Sequence, residues 1–245
     1  MVLGTEKGYY PINFSWEDFD WSENPESLIE IENFVQKLNF TPVFEKAKII
    51  CVGRNYADHA KELGNEVPTE PILFWKPHSS LIGPNGLIEL PSQSSNVQYE
   101  TELVAVIGKK GKNISIEESM DFVIGYTIGL DITARDLQRS DKTWFRGKSF
   151  DTFSPVGPVI VPKNKINLDN CSVQLTVNEE LKQNGNTRDF IFKLPFLIHY
   201  ISQIITLEPG DIIFTGTPEG VGTIKSGDVL KASIQGIGEL TVSVR

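Results

Sequence analysis

The hydrophobic pattern of this chain changes character near Lys48. Beyond that point, short apolar runs alternate with turn residues. Their spacing predicts strands over 49–52, 72–75, 99–107, 122–132, 172–177, 211–214, 229–234 and 239–244. Two turns of one type, Glu208-Pro209-Gly210-Asp211 and Lys225-Ser226-Gly227-Asp228, each introduce a strand, with glycine at the place that needs a positive φ. Helical spacing is sparse: a short helix over 57–63 closed by Gly64, a turn over 116–120, and a helix over 194–205. Many short strands with few helices predict a β-rich α+β domain, a sandwich or a rolled barrel, over 49–245.

Residues 1–48 read as a separate small segment. Residues 11–24 are acidic and aromatic, with Trp16, Phe19 and Trp21 as packing residues. Asn24-Pro25-Glu26 carries the marks of a helix start, and Leu28, Ile31, Phe34, Val35 and Leu38 follow at helical spacing. There is no internal repeat and no low-complexity stretch.

Composition narrows the function classes. The chain has 245 residues, 40% hydrophobic and 22% charged, with a net charge of −9. That balance, without a Lys/Arg cluster, argues against nucleic acid and against an anionic membrane surface. A small anionic substrate stays open, because local positive charge is enough to hold one. No apolar stretch reaches the ~20 residues of a membrane helix, and the first residues lack a secretory pattern. Two cysteines, Cys51 and Cys171, do not define a disulfide framework. Reduced thiols and a cytoplasmic location are the expectation.

The most informative chemistry lies in Tyr99-Glu100-Thr101-Glu102-Leu103. A strand puts residues i and i+2 on one face, so Glu100 and Glu102 would repel each other and be costly to desolvate. Asp131 interrupts a second apolar run, Gly125 to Leu130. Three hard oxygen donors without a nearby Cys or His favour Mg²⁺, Mn²⁺ or Ca²⁺ over Zn²⁺. The bland alternative is an edge strand with both glutamates in solvent. A second constellation is His59 and Glu62, at i and i+3 of the predicted helix. A carboxylate beside an imidazole fixes its tautomer and raises its basicity, which suits a general base acting on water. On a surface helix such a pair also arises by chance. Gly147-Lys148-Ser149 is not a phosphate loop, because position 142 is Lys where that motif needs Gly. The loop Phe214-Thr215-Gly216-Thr217-Pro218-Glu219-Gly220-Val221-Gly222 offers amides and hydroxyls for a carboxylate. Cys51, in an apolar run, reads as core, and His78 and His199 as structural.

Seven of these pieces, in this order, resemble the fumarylacetoacetate hydrolase family, in its acylpyruvase and oxaloacetate-decarboxylase-like branch. They are Cys51 to His59, Glu70 to Pro77, Tyr99 to Leu103, Gly125 to Gln138, Gly147 to Asp151, Pro155 to Pro158, and Gly210 to Gly222. The resemblance covers residues 48 to 245. It implies a mixed β-roll, a homodimer, and a Mg²⁺ or Mn²⁺ ion held by Glu100, Glu102 and Asp131. It implies His59, Glu62 and Lys148 as catalytic residues, with His59 and Glu62 on a short mobile helix. It implies Arg54, Tyr56, Arg135, Gln138 and Thr217 as the residues that bind substrate. Glu219 departs from the lysine expected of many relatives and bears on substrate preference. The implied activity is hydrolysis of a C–C bond in 2,4-dioxo acids (acylpyruvates) to pyruvate and a carboxylic acid. Oxaloacetate decarboxylation and isomerisation of a 2-hydroxy-dienedioate use the same metal–enolate chemistry. A silent 2-oxo acid binding protein is the alternative outside enzymes.

Overall fold

The computed structural model describes residues 47–245 and, at the level of backbone, three short strands before them. In chain order the strands are β1 (Val2–Thr5), β2 (Gly8–Pro11), β3 (Ile29–Glu30), β4 (Ile49–Gly53), β5 (Ile72–Lys76) and β6 (Leu81–Ile82). Next come β7 (Leu87–Ile88), β8 (Val97–Gln98), β9 (Thr101–Ile107), β10 (Val123–Leu130), β11 (Thr133–Ala134) and β12 (Ser154–Pro162). The last are β13 (Ser172–Val177), β14 (Glu180–Asn186), β15 (Ile212–Phe214), β16 (Val229–Ile234) and β17 (Gly238–Val244). Four α-helices are described: α1 (Ala57–Glu62), α2 (Arg135–Ser140), α3 (Phe145–Lys148) and α4 (Leu194–Ile204). The helix expected after Asn24 lies outside the described residues, apart from Ile29–Glu30, which form β3.

The large sheet runs β2-β1-β3-β12-β10-β9-β15-β4-β5, with β6 paired to β12. It curls on itself. Lys76, at the end of outermost β5, reaches Asp131 beyond the end of β10 at 2.6 Å, and β6, just after β5, pairs parallel with β12. A second sheet runs β14-β13-β16-β17-β7. The β-rich roll expected from the sequence is the fold observed.

The pattern of each strand follows from which faces are covered. In β9, Leu103, Ala105 and Ile107 enter one core with the second sheet and α4, while Val104 and Val106 enter another with Ile49, Cys51, Ile212 and Phe214. Both faces are buried, so the run is apolar without alternation. In β13, Val173, Leu175 and Val177 are buried and the residues between them half-buried, a strand covered on one face only. The two predicted turns form as expected. Gly210 and Gly227 take φ of 89° and 92°, and the Asp211 and Asp228 carboxylates accept the amides of Glu208 and Lys225 at 2.7 and 2.9 Å.

Three features differ from the sequence pattern. The run over 99–107 is not one strand, because the chain changes partner at Tyr99 and Glu100: β8 pairs with β11, and β9 with β10 and β15. β12 is interrupted in sequence by Pro155, Gly157, Pro158 and Pro162, which hide a strand signal. α2 and α3 are too short to show a period.

Candidate active site

The three acidic residues converge where β9 begins and β10 ends. Glu102 pairs in register with Gly129, and Asp131 N–H donates to the Glu100 carbonyl at 2.8 Å. Carboxylate oxygens of Glu100, Glu102 and Asp131 lie within 4.8 Å of one another, and all three side chains are buried.

Cations surround this cluster unevenly. Lys148 Nζ donates to Glu100 Oε2 at 2.7 Å and to Asp131 Oδ2 at 2.6 Å. Lys76 Nζ takes the other Asp131 oxygen, Oδ1, and the Ile132 carbonyl at 3.2 Å. Arg135 Nη2 donates to Glu100 Oε1. Its Nε and Nη1 are held by Gln98 and Gln138 at 2.8 and 2.6 Å. Glu102 has no cation among the described residues and accepts the Gly216 amide at 2.6 Å.

The ionisation of the cluster follows from that asymmetry. Burial opposes the Glu100 charge, but the Lys148 ammonium and Arg135 guanidinium outweigh it and hold the carboxyl far below its ordinary range. Burial pushes Glu102 well up, and the neighbouring Asp131 and Glu100 carboxylates add to the push. Burial likewise opposes the Lys148 charge, yet Asp131 and Glu100 carry its pKa above the ordinary value. The cluster is short of positive charge at Glu102. Its donors are hard carboxylate oxygens, so the residues fit a divalent cation of the Mg²⁺ or Mn²⁺ kind.

His59 and Glu62 meet on α1 as the spacing predicts. His59 Nδ1 lies 3.1 Å from Glu62 Oε2. An ionised carboxylate only accepts, so Nδ1 donates the proton of this bond, and the tautomer it selects in the neutral imidazole is the one with the lone pair on Nε2. Glu62 is held on its other oxygen by the Gly220 amide at 3.0 Å. Burial works against its charge, but the His59 and Gly220 hydrogen bonds prevail and keep the carboxyl below its ordinary value.

One cavity of about 430 Å³ gathers Arg54, His59, Glu100, Arg135, Gln138 and Lys148. Arg54 follows β4 at φ 57°, in the left-handed region, and its guanidinium lies over the Trp144 ring, 5.6 Å from the centroid. Burial lowers its pKa from the ordinary value. Lys148 reaches the cluster because Gly147 lets α3 lie on α2: a β-carbon there would come 2.8 Å from Gln138 N and 3.0 Å from Ala134 O. Tyr56 and Thr217 stand apart from this cavity. Tyr56 is buried against Phe190 and lines a second concavity with Ala57 and Asp58. The Thr217 hydroxyl is enclosed, donating to the Thr101 carbonyl at 2.9 Å and accepting from Gln183 at 2.8 Å. The Cys51 thiol is fully buried and its pKa is raised by that burial, as befits a core residue.

Sequence reasoning passed over Lys76, Gln98 and Gln183. Gln183 is the buried member of polar β14, where no pattern marks it. Lys76 closes an apolar run, and an unpaired lysine at that place was the available signal.

A curled sheet with a buried Glu–Glu–Asp cluster beside a His–Glu pair is the arrangement of an enzyme site able to hold a divalent cation. Residues 48–245 match the fumarylacetoacetate (FAA) hydrolase C-terminal family, and the chain belongs to it. It is 52% identical over 196 residues to the mitochondrial oxaloacetate decarboxylase of Dictyostelium discoideum, covering 78% of this chain and 89% of that protein. It is 47% identical over 201 residues to a mitochondrial oxaloacetate tautomerase of Arabidopsis thaliana, covering 80% and 90%. Among solved structures, fumarylpyruvate hydrolase from Pseudomonas aeruginosa in complex with Mn²⁺ and pyruvate matches with a TM-score of 0.76 at 38% identity, covering 80% of this chain and 88% of that one.

Proposed function

We propose that this chain hydrolyses acylpyruvates: water adds to the distal carbonyl of a 2,4-dioxo acid, and the C–C bond breaks to give a carboxylic acid and pyruvate. The observation that carries the reading is that His59, Glu100 and Lys148 open onto one cavity. Glu100, Glu102 and Asp131 would hold the divalent cation, which when bound supplies Lewis-acid stabilisation of enolate charge.

The residues divide the rest of the work. His59 Nε2 takes a proton from water, and Glu62 keeps the imidazole in the tautomer that can do so. Lys148 places an ammonium at the carboxylate cluster, where it favours the negative charge of the leaving enolate. Arg135 is bound on all three nitrogens by Gln98, Gln138 and Glu100, so its part is to set the Glu100 carboxylate. The half-buried Gln138 faces the cavity and is positioned by Arg135 in turn.

A second reading is decarboxylation or enol–keto tautomerisation of oxaloacetate, favoured by the names of the two relatives above. It calls on the same carboxylates and Lys148, without water attack. Pyruvate release from acetylpyruvate and from oxaloacetate, with the enol absorbance of oxaloacetate followed alongside, each with and without Mg²⁺, separates the two. Metal-dependent cleavage of acetylpyruvate supports hydrolysis; turnover of oxaloacetate alone overturns it. We also read the protein as a homodimer, which light scattering on the purified chain tests.

A further inference from the structure

A second cavity, of about 570 Å³, lies against α1 and shares no lining residue with the catalytic one. Tyr56, Ala57 and Asp58 face it from the start of α1, Arg188 and Asp189 from the turn after β14, and Glu219 from the Gly216–Gly220 stretch. Its charges are unevenly matched. Asp58 is met by Lys61 at 2.9 Å. Arg188, Asp189 and Glu219 are exposed, and among the described residues their side chains enter no ion pair and no hydrogen bond. The wall thus presents two free carboxylates and one free guanidinium. A fourth group is also unsatisfied. Tyr56 is only 2% exposed, yet its hydroxyl has no hydrogen-bond partner. Burial raises its pKa, and the carboxylates of Glu102, Asp189 and Glu219 add to the rise. It is therefore a neutral hydroxyl between the metal cluster and the acidic rim of this cavity. A buried polar group of this kind ordinarily finds a partner.

These carboxylates do not gather on one metal ion: among the described residues only Glu100, Glu102 and Asp131 bring their oxygens close enough together. A simple anion would meet two carboxylates for one guanidinium. We propose that the cavity binds a basic amino acid, L-arginine or L-lysine, as an effector: Asp189 and Glu219 take its two cationic groups, the Tyr56 hydroxyl accepts from one of them, and Arg188 takes its carboxylate. Two positive charges and one negative charge on the ligand mirror the free groups of the wall. A guanidinium matches a carboxylate with two parallel donors, and the cavity has the volume of a small-molecule site. The site touches the catalytic machinery from outside. Tyr56 immediately precedes α1, and its carbonyl accepts the Ala60 amide at 3.1 Å. Glu219 adjoins Gly220, whose amide holds Glu62 at 3.0 Å. An occupant joining Tyr56 to Asp189 and Glu219 therefore braces the helix that carries His59 and Glu62 without entering the catalytic cavity. The inference is independent of which 2-oxo acid is turned over.

Calorimetry on the full chain with Mg²⁺, at physiological ionic strength, tests this without turnover. The probes are L-arginine and L-lysine, with L-citrulline lacking the side-chain charge and agmatine lacking the carboxylate. Citrulline and agmatine should each bind roughly 10- to 100-fold more weakly than arginine, the range for hydrogen bonds to charged groups. Asp189→Asn/Glu219→Gln should weaken whichever of the two amino acids binds by the same range, and Arg188→Gln should remove the preference for arginine over agmatine. These side chains are exposed, so folding is not at stake. Tyr56→Phe removes a hydroxyl that has no partner to lose and should weaken binding about 2- to 10-fold. Glu66→Gln/Glu117→Gln removes two exposed charges outside the cavity and should leave the affinity within about threefold. With ligand at about 100 times its Kd, hydrogen exchange of the Ala60 and Leu63 amides should slow by up to about 100-fold. No binding of either amino acid at about 10 mM, or an equal loss in the Glu66/Glu117 control, overturns the site. Binding that leaves exchange in α1 unchanged overturns its role as an effector.

Discussion

Replacing Gln183 by leucine tests how the site is held together. This side chain is wholly buried in β14. Its Oε1 accepts the Thr101 amide at 2.9 Å, and its Nε2 donates to Thr217 Oγ1 and to the Pro218 carbonyl, both at 2.8 Å. Leucine nearly fills the volume but offers no polar atom. The Thr217 hydroxyl keeps its bond to the Thr101 carbonyl, while the Thr101 amide and the Pro218 carbonyl lose the partner they have in Gln183. A buried group left unsatisfied costs about 1–3 kcal/mol, so two together cost about 2–6 kcal/mol. A domain of this size holds only about 5–15 kcal/mol in all. The melting temperature should therefore fall by about 5–20 °C, with the urea midpoint moving at unchanged slope. Function should move as well. Thr217 and Pro218 lie between Gly216, which supports Glu102, and Gly220, which supports Glu62. Supporting partners of metal ligands are typically worth 10–100-fold in affinity, so Mg²⁺ binding by calorimetry should weaken by about tenfold. A Gln183→Leu protein within about 1 kcal/mol of wild type and with undiminished Mg²⁺ affinity would refute the reasoning.

Four further outcomes follow from the geometry. His59→Ala should lower pyruvate release by about 10²- to 10⁴-fold while Mg²⁺ still binds, and retention of wild-type turnover would remove it as the base. Asp131→Ala strands two buried ammoniums, Lys76 and Lys148; it should abolish Mg²⁺ binding in calorimetry and cost about 3–5 kcal/mol in urea unfolding. Gly147→Ala should push α3 off α2 and cost about 1–3 kcal/mol in the same assay, with a loss of turnover as Lys148 shifts. The pH dependence turns on Glu102, whose pKa burial raises, with further help from Asp131 and Glu100. A carboxyl with a raised folded pKa favours the folded state most below its ordinary value of 4.5, and that contribution is lost as pH climbs through the raised value. A dication competes with the same proton. Mg²⁺ affinity should thus rise with pH across that window, by up to about tenfold per pH unit, then level off. Titration in buffers of different ionisation enthalpy reads the released proton, and a flat affinity would exclude Glu102 as a ligand.

What the sequence disclosed depended on how many faces of each element are buried. Strands β4, β9 and β15 are covered on both sides, so their apolar runs stood out. The acidic residues were visible because each interrupts or adjoins such a run. β12 and β14 were hidden for opposite reasons: three prolines disguise the first, and the second is polar along most of its length. The i, i+3 spacing of His59 and Glu62 is local and could be read directly. Their support by Gly220 joins residues 158 positions apart and has no local signature. The same holds for Lys76, placed beside Asp131 by the curl of the sheet, and for Gln183, tied to Thr217 across 34 positions.

The stretch from Gly216 to Gly220 lends one amide to Glu102 and another to Glu62. Gly216 has little freedom to yield, since its φ is 97° and a β-carbon would meet Asn55 Cβ at 2.7 Å. Five residues thus act as a yoke across ion capture and proton abstraction. Any redesign that exchanges this segment for a homologue's will carry both settings over as one inherited unit, and affinity for the ion cannot be retuned there without also resetting the imidazole.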